Sequence, residues 1–159
     1  ATNAYRVLGR WPALLVFFCD TAKGMAGVYL GTVLLGSPFA EVMGGIAAIS
    51  GHNWSVLLGF KGGRGVATGL GVIALLAPKV TVIVFVVWAI VVYLTRYVSL
   101  ASIIAAALVP PLMWLFGAGT EILLFGVAAA IFVIVRHRPN IGRLLRGEEL
   151  KIKAAEKKS

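Results

Sequence analysis

The sequence predicts an all-α integral membrane protein, a polytopic helical bundle, and three observations carry that reading. Of the 159 residues, 60% are hydrophobic and only 13% are charged, well below the roughly 25% charged share of a soluble domain. The mean hydropathy is +0.95. The apolar residues form runs of membrane-spanning length, and lipid favours helices because each closes its own backbone hydrogen bonds. The formal net charge of +9 sits at the ends of these runs rather than on a soluble face. That placement argues against nucleic acid as a partner and fits the positive-inside rule.

The chain reads as a single membrane domain, residues 1–159, with a basic amphipathic tail at 136–159. Residues 1–10 are polar and carry Arg6 and Arg10. The chain opens on Ala rather than Met, so an upstream segment is expected to have been lost by truncation. The first span, Trp11 to Leu35, carries Asp20 and Lys23 on one helical face. Each costs about 2.5 to 3.5 kcal/mol on insertion scales, so the two are expected to pair or to face the bundle interior. The sole cysteine, Cys19, lies in the same run and reads as core or lipid-facing packing. Gly36-Ser-Pro-Phe39 makes a turn in which Pro38 suits a first helical position.

The second run extends from Phe39 to Leu58, with Gly44-Gly45 and Gly51 allowing close helix packing. The third, Val66 to Ala77, is a short helix after a glycine-rich loop. At about 18 Å against a hydrocarbon core of about 30 Å, it reads as short or re-entrant, with its lead-in dipping into a protein-lined pocket. Val80 to Leu94 forms the next span. Ile103 to Phe116 follows the polar Thr95–Ser102 stretch and is expected to kink at Pro110-Pro111, and Ile122 to Val135 is the last. The count is six transmembrane helices. With six, thirteen of the fifteen Lys and Arg residues fall on one side, Lys79 on the other and Lys23 between. The basic side is therefore assigned to the cytoplasm.

Several chemistries lack their residues. There is no Walker A loop, no GxSxG elbow and no HxxxxD pair, and neither histidine, His52 or His137, has a carboxylate at zincin spacing. No metal or cofactor is called for. What the sequence offers is cations among glycines. In Lys61-Gly-Gly-Arg-Gly65, Gly62, Gly63 and Gly65 let backbone N–H groups approach an anion flanked by Lys61 and Arg64. Arg6, Arg136 and Arg138 can converge on the same end of the bundle, or serve as headgroup anchors. His137 and Asn140 flank Pro139 where the last span ends, as interfacial or functional side chains. His52 reads as a cap, a loop-packing residue or a ligand contact. Ser99 and Ser102 read either as caps of a helix starting near residue 100 or as site residues.

The stretch Gly51-His-Asn-Trp-Ser-Val-Leu-Leu-Gly-Phe-Lys-Gly-Gly-Arg-Gly-Val-Ala-Thr68 resembles the central motif of the acyl-phosphate:glycerol-3-phosphate acyltransferases of bacterial membranes, the PlsY type. Arg136-His-Arg-Pro-Asn-Ile-Gly-Arg-Leu-Leu-Arg-Gly-Glu-Glu149 resembles that family's C-terminal motif. Ala1–Arg6 resembles the latter part of its first motif, and Asp20–Gly24 and Thr95–Ser102 fit as well. The resemblance implies seven helices in the intact fold, an additional N-terminal helix and a serine-containing run ahead of Ala1. Arg64 stands where the family commonly has lysine.

The resemblance implies transfer of a fatty acyl group from acyl phosphate to the 1-hydroxyl of glycerol 3-phosphate, giving lysophosphatidic acid and phosphate without a cofactor. It implies a multi-pass protein of the bacterial plasma (inner) membrane; a monomer is expected, with the active site on the basic, cytoplasmic side that the charge count assigns. Carried over by position, His137, Asn140, Lys61, Arg64 and Arg6 are the catalytic candidates. Asn3, His52, Gly62, Gly63, Gly65, Ser99, Ser102 and Arg138 are the substrate-binding ones. The rival reading is a transporter or channel for a phosphorylated or anionic solute. It is disfavoured because no inverted repeat is visible and the cations gather at one mouth.

Overall fold

The computed structural model describes residues 2–55, 59–60 and 62–152. Among the described residues there are eight helices and no strand: α1 Thr2–Leu8, α2 Arg10–Leu35, α3 Pro38–Asn53, α4 Val66–Leu76, α5 Pro78–Thr95, α6 Val98–Leu115, α7 Thr120–Arg136 and α8 Arg138–Leu145. The expected all-helical membrane bundle is what the chain forms.

The helix ends follow from local chemistry. Gly36 closes α2 in the left-handed region, φ 60°, and its N–H donates to the Thr32 carbonyl. A residue with a Cβ is strained there. Ser37 then caps α3, its Oγ accepting from the Ala40 N–H at 3.2 Å, with Pro38 in the first turn as expected. Pro78 opens α5 in the same way.

The boundaries differ from the sequence reading in three places. The polar opening, to which the sequence assigned no element, forms the short helix α1, set off from α2 at Gly9. The second run stops as a helix at Asn53, where the backbone carbonyls of His52 and Asn53 and the Asn53 side chain lie against the glycine loop. And α6 starts at Val98, ahead of the expected Ile103, and runs through Pro110 and Pro111 to Leu115.

Length sorts the helices. By length and composition α2, α5 and α6 can each cross a membrane, and α7 with α8, bent by 56° at His137, makes a fourth candidate. With 16 residues α3 is shorter, and α4 has 11, about 16 Å of helix. The predicted short helix after the glycine loop is therefore present. It is also the most enclosed element, packed on α2, α3, α5 and α7, with Thr68, Gly71, Val72, Ile73 and Leu76 buried.

Close approach, rather than bulk, seats α4. A Cβ on Gly24 of α2 would strike the Thr68 carbonyl of α4, and one on Gly71 of α4 would strike the Thr21 carbonyl of α2. The two backbones meet where each helix offers a hydrogen atom, the small-residue packing that lipid favours. Beyond this contact, Val72, Leu76, Val80, Val109, Met113 and Phe125 form one apolar core. Outward, Leu15, Phe18, Leu30 and Val33 on α2 and Val82, Val86 and Ile90 on α5 stay exposed, and so does Cys19. Only 11% of the α5 span is buried inside the protein, so most of that helix is left to face lipid.

Candidate active site

The ends of α4, α6 and α7 that carry Gly65, Ser99 and Arg136 surround the mouth of a cavity of about 560 Å³, within the range of ligand sites. Its depth can be read along the helices. On α6 the lining runs from Ser99 and Ser102 through Ala105 and Ala106 to Val109, about 15 Å of helix. On α7 it runs from Arg136 through Val133 to Ala130, and on α4 from Gly65 through Gly69 to Ile73. Each helix passes from polar to apolar in the same direction. The cavity therefore has a cationic rim and an apolar floor, closed by the core around Val84 and Val109.

Several catalytic and binding candidates meet at that rim. Arg6, Arg64, Asn3, His52, Gly62, Gly63, Gly65, Ser99, Ser102, His137 and Asn140 all line the cavity. The loop is held from two sides. Gly62 lies against the carbonyls of His52 and Asn53, and Arg136 Nη2 donates to the Gly63 carbonyl at 2.9 Å. Gly65, at φ 76°, turns the chain into α4. Lys61 lies outside the described residues.

Arg138 is not brought in. It is the first residue of α8, exposed, and absent from the cavity lining. The backbone bends at His137, so Arg136 and Asn140, on either side of it, face the site instead. The capping reading of Ser99 and Ser102 also fails, because α6 starts at Val98 with no side-chain cap. Ser102 Oγ donates to the Val98 carbonyl at 2.9 Å and accepts from Trp88 Nε1 at 3.3 Å.

His137 is buried, and its Nδ1 lies 2.7 Å from the Val133 carbonyl. A carbonyl only accepts, so Nδ1 carries the proton, and in the neutral ring Nε2 is an acceptor. Burial is the main cause that pushes the imidazole pKa down, helped by Arg64 and Arg136 and opposed by the Val133 bond and Glu149. The ring is therefore neutral near neutral pH.

The largest surprise is Glu149. The sequence places it in a charged tail, where a glutamate reads as solvated, yet it is 7% exposed. Its Oε1 accepts from Ser99 Oγ at 2.9 Å and from Asn140 Nδ2 at 2.7 Å, and Oε2 accepts from Arg143 Nε at 2.7 Å. Burial alone raises its pKa, but the bonds from Asn140, Arg143 and Ser99 outweigh that and hold the carboxyl below its ordinary value. The residues around it are strapped down. Arg6 Nη2 donates to the Leu150 carbonyl, Ile152 N–H donates to the Arg96 carbonyl, and Lys151 sits over the Tyr97 ring.

Two buried polar atoms at the site, Arg136 Nε and Asn140 Oδ1, have no hydrogen-bond partner among the described residues. Arg64, at the rim, is pulled below the usual arginine range, first by burial and then by Arg143, Arg6 and Arg136, against the opposite pull of Glu149. The arginines are thus close enough to crowd one another, the mark of a site built for negative charge.

Fold and cavity define the class: a multi-pass membrane protein with an internal site that is cationic at its mouth and apolar in its depth. The comparisons make it specific. The glycerol-3-phosphate acyltransferase family profile matches residues 1–147, and the chain belongs to that family. A glycerol-3-phosphate acyltransferase of Synechococcus sp. (strain JA-3-3Ab) is 47% identical over 152 residues, 96% of this chain and 74% of the relative. One of Desulforudis audaxviator (strain MP104C) is 48% identical over 149 residues, 94% of this chain and 75% of the relative. The crystal structure of PlsY (YgiH), an integral membrane glycerol 3-phosphate acyltransferase, in its glycerol 3-phosphate form superposes with a TM-score of 0.90 at 37% identity. The match covers 96% of this chain and 76% of that one. The chain is an acyltransferase, and the transporter reading is set aside.

Proposed function

We propose that this acyltransferase moves a fatty acyl group from acyl phosphate to the 1-hydroxyl of glycerol 3-phosphate, giving lysophosphatidic acid and phosphate. It acts as a monomer and a single membrane domain in the bacterial plasma membrane, with the cavity mouth toward the cytoplasm. The observation that carries the reading is the pairing, in one cavity, of an arginine rim with an apolar floor. Acyl phosphate and lysophosphatidic acid are both a phosphate joined to an aliphatic chain. A second PlsY structure, the lysophosphatidic acid form, superposes equally well, with a TM-score of 0.90. The basic residues at the mouth support the cytoplasmic orientation through the positive-inside rule.

Acyl phosphate is a mixed anhydride with a good leaving group, so the protein has mainly to orient the reactants and stabilise charge. The glycerol hydroxyl attacks the acyl carbon, the new ester C–O bond forms, the C–O bond to phosphate breaks, and phosphate departs with the proton. Arg6, Arg64 and Lys61 hold phosphate oxygens, with the N–H groups of the Gly62–Gly65 loop. Charge-assisted contacts of this kind contribute about 1.5 to 3 kcal/mol each. His137 Nε2 accepts from the attacking hydroxyl and sets its direction. Asn140, fixed by Glu149, directs its Oδ1, which has no partner among the described residues, to the second hydroxyl of glycerol 3-phosphate. Purified protein given acyl phosphate and glycerol 3-phosphate should release lysophosphatidic acid and phosphate without coenzyme A. Product formation from an acyl thioester alone would overturn the donor assignment.

A further inference from the structure

Asp20 is a carboxylate inside a membrane helix, 6% exposed; it borders the cavity beside His52, and the acyl transfer as written gives it no task. Its pairing with Lys23 was expected from their spacing, and Lys23 Nζ does donate to Oδ1 at 3.1 Å. The lysine side chain is 62% exposed, however, and the contact is to a neighbour on the same helix. The second partner comes from another helix. Nδ1 of His52, on the last turn of α3, lies 3.3 Å from the same Oδ1, with its side chain only 15% exposed. The opposite edge of that ring, Nε2 and Cε1, fills the space that a Cβ on Gly63 would need. Carboxylate, imidazole and glycine loop are therefore in contact one after another. Arg136 clasps the Gly63 carbonyl.

We propose that Asp20 is a positioning residue for the acyl transfer, acting through His52 to set the path of the Gly62–Gly65 loop. The inference rests on the reading that this loop holds a substrate phosphate. A carboxylate 3.3 Å from Nδ1 favours the proton on that nitrogen and draws that edge of the ring toward α2. The ring edge is the surface on which Gly63 lies, so the ring plane decides where the loop N–H groups point. Glycine is needed at 63 because any side chain would meet the ring. A loop displaced by about 1 Å can cost on the order of 100-fold in rate, so a buried carboxylate that fixes a ring two contacts from substrate has a measurable task.

The alternative is that Asp20 only neutralises Lys23, and the test separates the two. In the full chain, KM for acyl phosphate, KM for glycerol 3-phosphate, kcat and melting temperature are measured for Gly63→Ala, Asp20→Asn, His52→Gln, Asp20→Asn/Lys23→Met and Asp20→Asn/His52→Gln. Gly63→Ala should raise KM for one of the substrates. Asp20→Asn should raise KM for that same substrate, by about 10-fold, at unchanged melting temperature. The Lys23→Met addition should not restore it, and the His52→Gln addition should worsen it by less than the two single effects combined. Recovery in the Lys23→Met double variant overturns the inference, as does an equal loss for both substrates with a fall in melting temperature. If Gly63→Ala raises one KM and Asp20→Asn raises neither, this inference alone falls. If Gly63→Ala raises neither, the loop reading falls and the inference with it.

Discussion

Asn140 donates to Glu149 at 2.7 Å across nine residues of chain, and both side chains are almost wholly buried. The bond closes α8 and the segment after it into a ring over the cavity mouth, with the same carboxylate oxygen accepting from Ser99 on α6. Glu149→Ala leaves three donors, on Asn140, Ser99 and Arg143, without their acceptor. Turnover should fall about 10- to 100-fold, since hydrogen bonds to a charged group are worth about 1.5 to 3 kcal/mol. Glu149→Gln keeps an acceptor for Asn140 and should retain more activity, measured as phosphate release.

The depressed Glu149 pKa sets a pH dependence. The ionised carboxylate is favoured in the folded chain, so its contribution is complete above the unfolded value of about 4.3 and is lost as the pH falls through the lower folded value. Melting curves of the parent chain should therefore lose stability on acidification below that point. Glu149→Gln should show a shallower loss.

His137 is held neutral by burial. A depressed pKa keeps the acceptor nitrogen available above the free-imidazole value of about 6.5 and somewhat below it. Turnover that depends on Nε2 should persist through that pH and decline only lower. His137→Ala should cost at least about 100-fold, within the range for a residue acting on a transferring proton. A near-normal rate for a folded His137→Ala protein removes the residue from the site.

Arg136 meets the Gly63 carbonyl with one guanidinium nitrogen, and its buried Nε has no partner among the described residues. Arg136→Lys preserves charge and loses the fork geometry. A rise in KM of about 10-fold is expected in initial-rate measurements, equivalent to one lost charge-assisted bond.

Ala130 is buried, 6% exposed, and lines the apolar part of the cavity. Ala130→Phe should shorten that space and depress turnover of long-chain acyl phosphates more than of short ones. An equal effect on every chain length would show that the acyl group lies elsewhere.

Much of the fold was legible because lipid simplifies the code. Apolar runs bounded by Gly36-Ser-Pro and Ala77-Pro became helices within a few residues, and Asp20 with Lys23 paired, one of the two outcomes their spacing allowed. What stayed hidden depends on contacts between distant residues. Ser99 and Glu149 are 50 positions apart, and the ring of His52 finds Asp20 across two helices. No local period marks such pairs, and a glutamate among lysines and arginines reads as solvated until the chain is seen to fold back. Helix α1 was missed because Thr2–Leu8 is too short and mixed to show a pattern.

The shortest buried helix has one further implication. At 11 residues, α4 is too short to cross the bilayer alone, and its place is defined by glycine contacts with α2. A segment of that length is not retained by the membrane on its own account, so its neighbours must carry it in. The glycine loop at its head then acquires its shape only when the surrounding helices have assembled. Catalytic competence is thus tied to completion of biogenesis: a half-inserted chain exposes no working site to its substrates, and acyl transfer should first appear together with hydrogen-exchange protection of the α4 amides.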